Sequence, residues 1–93
     1  MKARLKPVTA YELLGADGRV IARLVKVSSW GGMDRLQTDD GKTLIVEQPS
    51  GMEQTMAEAM SAIGAGDGTV ECDIVKASPS LIASLQEQPG GAA

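Results

Sequence analysis

Along this chain the spacing of apolar residues changes period twice. Through residue 48 apolar side chains come in short alternating or continuous blocks cut by Gly and Asp, the mark of strands and tight turns. From Ser50 to Gly64 they recur every three or four positions, and from Thr69 to Lys76 they alternate again. The middle stretch is the best-signalled element. Ser50 with Glu53 three residues later makes a capping box, in which each side chain can meet a backbone N–H left open by the first helical turn. Gly64 supplies the left-handed residue at which helices stop. Between them Met52, Met56, Ala59, Met60 and Ile63 share one helical face, and Glu53, Gln54, Glu58 and Ser61 fall elsewhere. Such a helix needs a surface to cover, and the flanking strands offer a sheet.

Residues 1–7 read as a basic arm or the lead-in to a first strand; Pro7 suits an edge or a strand's first residue. Residues 8–14 predict a strand and 15–18, Gly-Ala-Asp-Gly, a turn. Residues 19–27 predict a second strand with apolar residues on both faces, the pattern of an internal position. Residues 28–33 are too Gly-rich to continue a ladder, yet hold Trp30. Residues 34–39 and 42–48 predict a hairpin around Asp40-Gly41, a two-residue type I′ signal. That turn sets Asp39 opposite Lys42, Thr38 opposite Thr43 and Leu36 opposite Ile45. Leu44-Ile45-Val46, apolar on both faces, predicts another internal strand. Beyond the helix, Val70, Cys72 and Ile74 face one side of a strand and Glu71 and Asp73 the other. Ser78 before Pro79 opens a short helix with Leu81, Ile82 and Leu85 as its stripe. Residues 89–93 read as a disordered tail.

The order β-β-β-β-α-β-α over residues 1–88 predicts a single α+β domain: a mostly antiparallel twisted sheet of about five strands with the amphipathic helix packed on one face. The alternative is a small, partly closed barrel with that helix as its plug.

Composition narrows the chemistry. The chain has 93 residues, a single Cys, and no His or Phe. No apolar run follows the basic N-terminus, so no signal peptide is expected, and none approaches a membrane span. With one thiol and no internal disulfide, a cytoplasmic setting is expected. An Ala/Gly-rich chain without His, Asn or Phe hints at a GC-rich bacterial or phage source. Residues 1–46 carry eight Lys/Arg against five Asp/Glu, and residues 47–93 carry Lys76 against seven Asp/Glu, a split of +3 and −6. It fits either two halves that attract each other or a partner-facing acidic surface.

No catalytic constellation stands out. His, the usual neutral-pH acid–base group, is absent. Glu71 and Asp73 share a strand face, with nothing else converging on them. One Cys and no His exclude a zinc ribbon or finger, and Cys72, in phase with Val70 and Ile74, reads as a core thiol. Gly41-Lys42-Thr43 resembles the end of a phosphate loop but lacks its first glycine, where Leu36 stands, and leads into a strand. Gly64, Gly66 and Gly68 likewise precede a strand and not a helix, so they read as a loop. No catalytic residue, cofactor or metal ligand is therefore assigned.

What remains is binding. The expected function is a small non-catalytic protein acting through protein–protein contact, as an inhibitor, adaptor or accessory subunit of the kind phages and mobile elements direct at host systems. Trp30 and Met33, in a Gly-rich loop, are candidate anchors, and Glu53, Glu58, Glu71 and Asp73 the candidate acidic contacts. Trp30 as a lid on a core poor in large side chains is the other reading of that residue, and the Met stripe is expected to fill core space. The alternative function is nucleic-acid binding through Arg4, Lys6, Arg19, Arg23, Lys26 and Arg35, against which stand the net charge of −3 and the scarcity of stacking aromatics. No membrane partner is expected. A homodimer is allowed.

Overall fold

The computed structural model describes residues 1–86, and the tail expected at 89–93 lies outside them. Among the described residues six strands and two helices follow in order: β1 (Lys2–Pro7), β2 (Tyr11–Leu14), β3 (Val20–Trp30), β4 (Met33–Gln37), β5 (Thr43–Glu47), α1 (Gly51–Ala62), β6 (Val70–Ala77) and α2 (Pro79–Gln86). Each strand pairs antiparallel with the next, and β6 pairs antiparallel with β1, closing a barrel. An even number of alternating strands lets the last meet the first in the antiparallel sense. The expected open sheet is thus replaced by its barrel alternative, and that barrel is fully closed.

The closing strand is the segment that reads from sequence as an arm. Ala3 and Leu5 alternate with Lys2, Arg4 and Lys6; the small and apolar pair points inward, opposite Cys72 and Val70 of β6. Val8–Ala10, expected within a strand, instead turn the chain from β1 to β2, with Val8 N–H donating to Ala10 C=O at 3.1 Å.

Two turns exchange the roles that sequence assigns them. Trp30 pairs with Met33, so β3 runs through Ser28–Trp30, and Gly31 and Gly32 take φ of 51° and 80° in the two-residue turn. Two consecutive positive φ values are what a type I′ hairpin demands, and Gly-Gly accepts them at no steric cost. At Asp40-Gly41 only Gly41 has positive φ (89°). The chain there makes a turn closed by Gly41 N–H to Thr38 C=O, with Thr38 N–H donating to Lys42 C=O. The extra residue shifts the register by one: Leu36 faces Leu44 and Gln37 faces Thr43, in place of the expected Leu36–Ile45 and Thr38–Thr43 pairs. Since side chains alternate between faces, this slip is what sends Leu36, Leu44 and Val46 inward together.

The interior is aliphatic. Ala3, Leu5, Leu13, Leu24, Leu36, Leu44, Val46 and Cys72 fill it, joined by Leu81 of α2. α2 seals one end. Ser78 Oγ accepts from Thr43 N–H at 2.9 Å, and Ser78 N–H donates to Thr43 C=O at 2.9 Å. This clamp places the helix across the barrel end, with Leu81 buried and Leu85 packed against the cluster. β3 and β5 are internal as expected, paired on both sides, but no second layer covers their outer faces, so Val25 and Val27 stay exposed.

Candidate protein-interaction surface

α1 forms where expected. Ser50 Oγ accepts from Glu53 N–H at 3.2 Å, and the chain leaves through Gly64 at φ 75°, with Ala65 N–H returning to Met60 C=O at 2.9 Å. Its placement is not as expected. The helix does not lay its Met stripe on the sheet, and it is not the barrel's plug. None of its residues, all of them described, is buried. Met52, Met56, Met60 and Ile63 are 74, 61, 45 and 77 % exposed.

The reason lies in the barrel. The inward side chains of the strands fill the interior, and α2 already covers one end, so no apolar surface of the interior is left for α1. The helix stands at the other end, and the side it turns to the barrel is its small and polar one. Gln54, Ala57 and Glu58 line a cavity of about 460 Å³ at the barrel mouth, together with Tyr11, Lys26, Asp34 and Gln48. The apolar floor of that cavity (Leu5, Leu36, Val46, Cys72) is itself almost sealed by its neighbours. The mouth therefore offers a ligand little apolar surface.

On its other flank α1 forms a groove of about 400 Å³ with the chain leading into β6. Met56 and Met60 line it, and its charged residues are Glu53, Asp67 and Glu71. From Glu47 to Val75 the sequence carries no Lys or Arg, and the cations near these acids come from β1, where Arg4 faces Glu71 in register and Lys6 lies close enough to act on Asp67. Asp67 accepts from Thr69 N–H at 3.0 Å; the Thr69 hydroxyl and then this N–H, both beside the carboxylate, hold it below its ordinary value.

The other candidate contacts sort themselves by face. Register aligns Trp30, Met33, Glu47 and Asp73 in one row across β3 to β6, on the outer wall. Trp30 is exposed and does not lid the core; Asp73 is within 3.8 Å of Lys2 across the closing seam. Glu71 belongs to the groove with Glu53, whereas Glu58 belongs to the mouth. The structure thus joins Trp30 to Met33 and Glu53 to Glu71, but keeps the two pairs apart.

The six basic residues of the nucleic-acid alternative are divided. Register sets Lys6, Glu12 and Arg23 in a row across β1 to β3, with an acid in the middle. Arg23 Nε pairs with Glu12 at 3.2 Å, Arg19 with Asp17 at 3.6 Å, and Arg4 donates to Gly15 C=O at 3.2 Å. Lys26 turns into the mouth, and Arg35 stands alone on β4. The Lys2–Asp73 pair and the facing of Arg4 with Glu71 show the two charged halves meeting at the β1–β6 seam.

Cys72 is buried, and burial first, then nearby acids led by Asp34, pushes its thiol up to about 11. At neutral pH it is a protonated, shielded group and not a nucleophile. Among the described residues no helix is long and apolar enough to cross a membrane, and no three metal-binding side chains converge. In comparisons with known proteins the chain matches no family model, no curated protein and no solved structure.

The face of α1 was half legible. Its periodicity names the residues, but the signal that the stripe is exposed lay elsewhere, in the second short helix beginning at Ser78-Pro79 and in the strand potential of residues 2–7. Val25 and Val27, absent from the sequence-derived contacts, give no sign of exposure in a strand apolar on both sides.

Proposed function

We propose that this domain is a non-catalytic binding protein acting through protein–protein contact, an inhibitor, adaptor or accessory subunit, and that α1 carries the contact. The observation behind this reading is the helix whose Met52, Met56, Met60 and Ile63 stay in water while its polar side faces the barrel. Exposed apolar surface of this kind has a cost in solubility that a partner removes. Met suits such a surface, because its unbranched side chain repacks against different shapes. The acids beside it, Glu53 and Glu71, favour a partner that brings basic residues to the rim of the contact. The lack of His supports a role without general acid–base chemistry.

The test is capture of a partner by the wild-type domain and by a Met56→Lys/Met60→Lys variant. Both positions are exposed, so the variant keeps its fold by circular dichroism. The expected result is a specific partner that the variant loses. Identical recovery by both proteins would put the contact elsewhere, and Trp30→Ala then tests the outer-wall row.

A further inference from the structure

The open end of the barrel departs from the interior in one regular way. Tyr11, Lys26, Asp34 and Gln48, on β2, β3, β4 and just past β5, each stand two residues beyond a core position: Leu13, Leu24, Leu36 and Val46. Side chains two apart on a strand share a face, so all four keep the inward phase. They line the mouth cavity of about 460 Å³, and α1 adds Gln54 and Glu58 from the other side. At the opposite end Leu81 of α2 is buried against the core instead. One end of the barrel is plugged; the other is a polar chamber of ligand-binding size.

The charges of this chamber lack partners. Lys26 and Glu58 form no ion pair among the described residues. Asp34 meets no cation either: the Ser29 hydroxyl at 2.7 Å and the Gln48 amide at 3.0 Å both donate to its Oδ1. These neutral donors orient the carboxylate and leave its charge uncompensated. The cations nearby are engaged elsewhere, Arg23 with Glu12 and Lys6 near Asp67, and neither lines the chamber. Lys26 therefore faces two carboxylates, and Glu53 of the neighbouring groove, close enough to act on Cys72 in the floor, adds to the negative side.

We infer that the chamber binds a small cationic amino acid, with its carboxylate on Lys26 and its two cationic groups on Asp34 and Glu58. Such a ligand carries one negative and two positive groups, the inverse of the charges that line the chamber. Charge-assisted hydrogen bonds of this kind are about twice as strong as neutral ones. The floor of Leu36 and Val46 is nearly sealed, so polar contacts supply the affinity. The Met stripe takes no part, because Met52, Met56, Met60 and Ile63 do not line the chamber. This site is additional to the contact surface of α1. Because Glu58 belongs to α1 and the other charges to the barrel, the ligand ties the helix to the mouth.

The experiment is an amide NMR titration of the full chain with L-arginine to about 10 mM, a range that covers millimolar binding. Two probes run beside it: agmatine, which is arginine without its carboxylate, and L-glutamate, which reverses the side-chain charge. L-arginine is expected to give saturable shifts at Lys26, Gln48 and Glu58 and slower hydrogen exchange along α1. Agmatine is expected to bind roughly tenfold more weakly, the loss of one charged hydrogen bond, and glutamate to give no saturable shift. Lys26→Gln and Glu58→Gln alter exposed side chains, so both variants keep the fold. Lys26→Gln is expected to abolish the preference for arginine over agmatine, and Glu58→Gln to weaken both probes alike. Arginine shifts that are absent, or confined to the outer wall, overturn the inference. So does a wild type that binds agmatine or glutamate as tightly as arginine, or a Lys26→Gln protein that keeps the preference.

Discussion

The two helices carry the same kind of sequence and meet opposite fates. Each opens on a serine cap and presents an apolar stripe: Met52, Met56, Met60 and Ile63 on α1, and Leu81, Ile82 and Leu85 on α2. α2 sinks Leu81 to 3 % exposure in the barrel interior, whereas α1 buries nothing. The difference is in attachment. α2 follows β6 directly and is clamped by the paired bonds between Ser78 and Thr43, which hold it across the barrel end. α1 is joined through Gln48-Pro49 and the Gly64–Gly68 return, and the barrel it reaches is already filled from within. An apolar helical stripe shows that a surface is wanted; whether the same chain supplies it depends on how many such surfaces the fold has left.

The sharpest break of this contrast is truncation of one side chain on each helix. Leu81→Ala leaves a cavity in the interior and should cost about 2–5 kcal/mol in urea denaturation. Met56→Ala, which removes a side chain from water, should move the midpoint by no more than about 0.5 kcal/mol. Equal losses would mean that α1 packs in solution. The caps sharpen it next. Ser78→Ala removes the partner of Thr43 N–H and should cost about 1 kcal/mol globally. Ser50→Ala should instead lower the hydrogen-exchange protection of α1 amides while leaving the global midpoint in place.

A smaller effect separates the filled interior from the wet surface through pH. The Cys72 thiol is raised by burial from 9.0 to about 11, so the folded state favours the protonated form. That contribution is fully present below pH 9 and is lost as pH rises through about 11, because the unfolded chain ionises first. The wild-type stability curve should therefore fall below that of Cys72→Ala, aligned at neutral pH, across this window. The smallest effect belongs to the α1 return. Asp67 is lowered from 3.8 by the Thr69 hydroxyl and N–H, so its contribution is present above 3.8 and fades as pH drops through the lowered value. Expected is a shift of the Thr69 amide resonance at acid pH without global unfolding.

Much of the local structure was legible because it rests on neighbours in sequence. The Ser50 cap, the Gly64 stop, the Ser78-Pro79 start and the inward phase of Val70, Cys72 and Ile74 all depend on residues within one turn or one pleat. The hairpin around Gly41 was legible as a hairpin, but its register was not, since Asp-Gly accepts both a two-residue turn and a longer one with a single left-handed glycine. Burying Leu36, Leu44 and Val46 on the same side decided between them. Trp30 shows the same limit: its loop is a strand end once Gly31-Gly32 provides the tight turn.

By itself, then, the sequence determined both helices, five of the six strands in outline, the inward phase of Cys72, and which residues make the apolar stripe of α1. Only the tertiary structure decided that Lys2–Pro7 closes a ring, that α2 is the plug, and that the Met stripe and the Val25–Val27 wall stay outside. The physical reason is that periodicity is a property of short range, while burial is a competition for one interior. In a barrel of six short strands that interior is filled by the strands and a single helix. The other helix, α1, keeps its stripe in water.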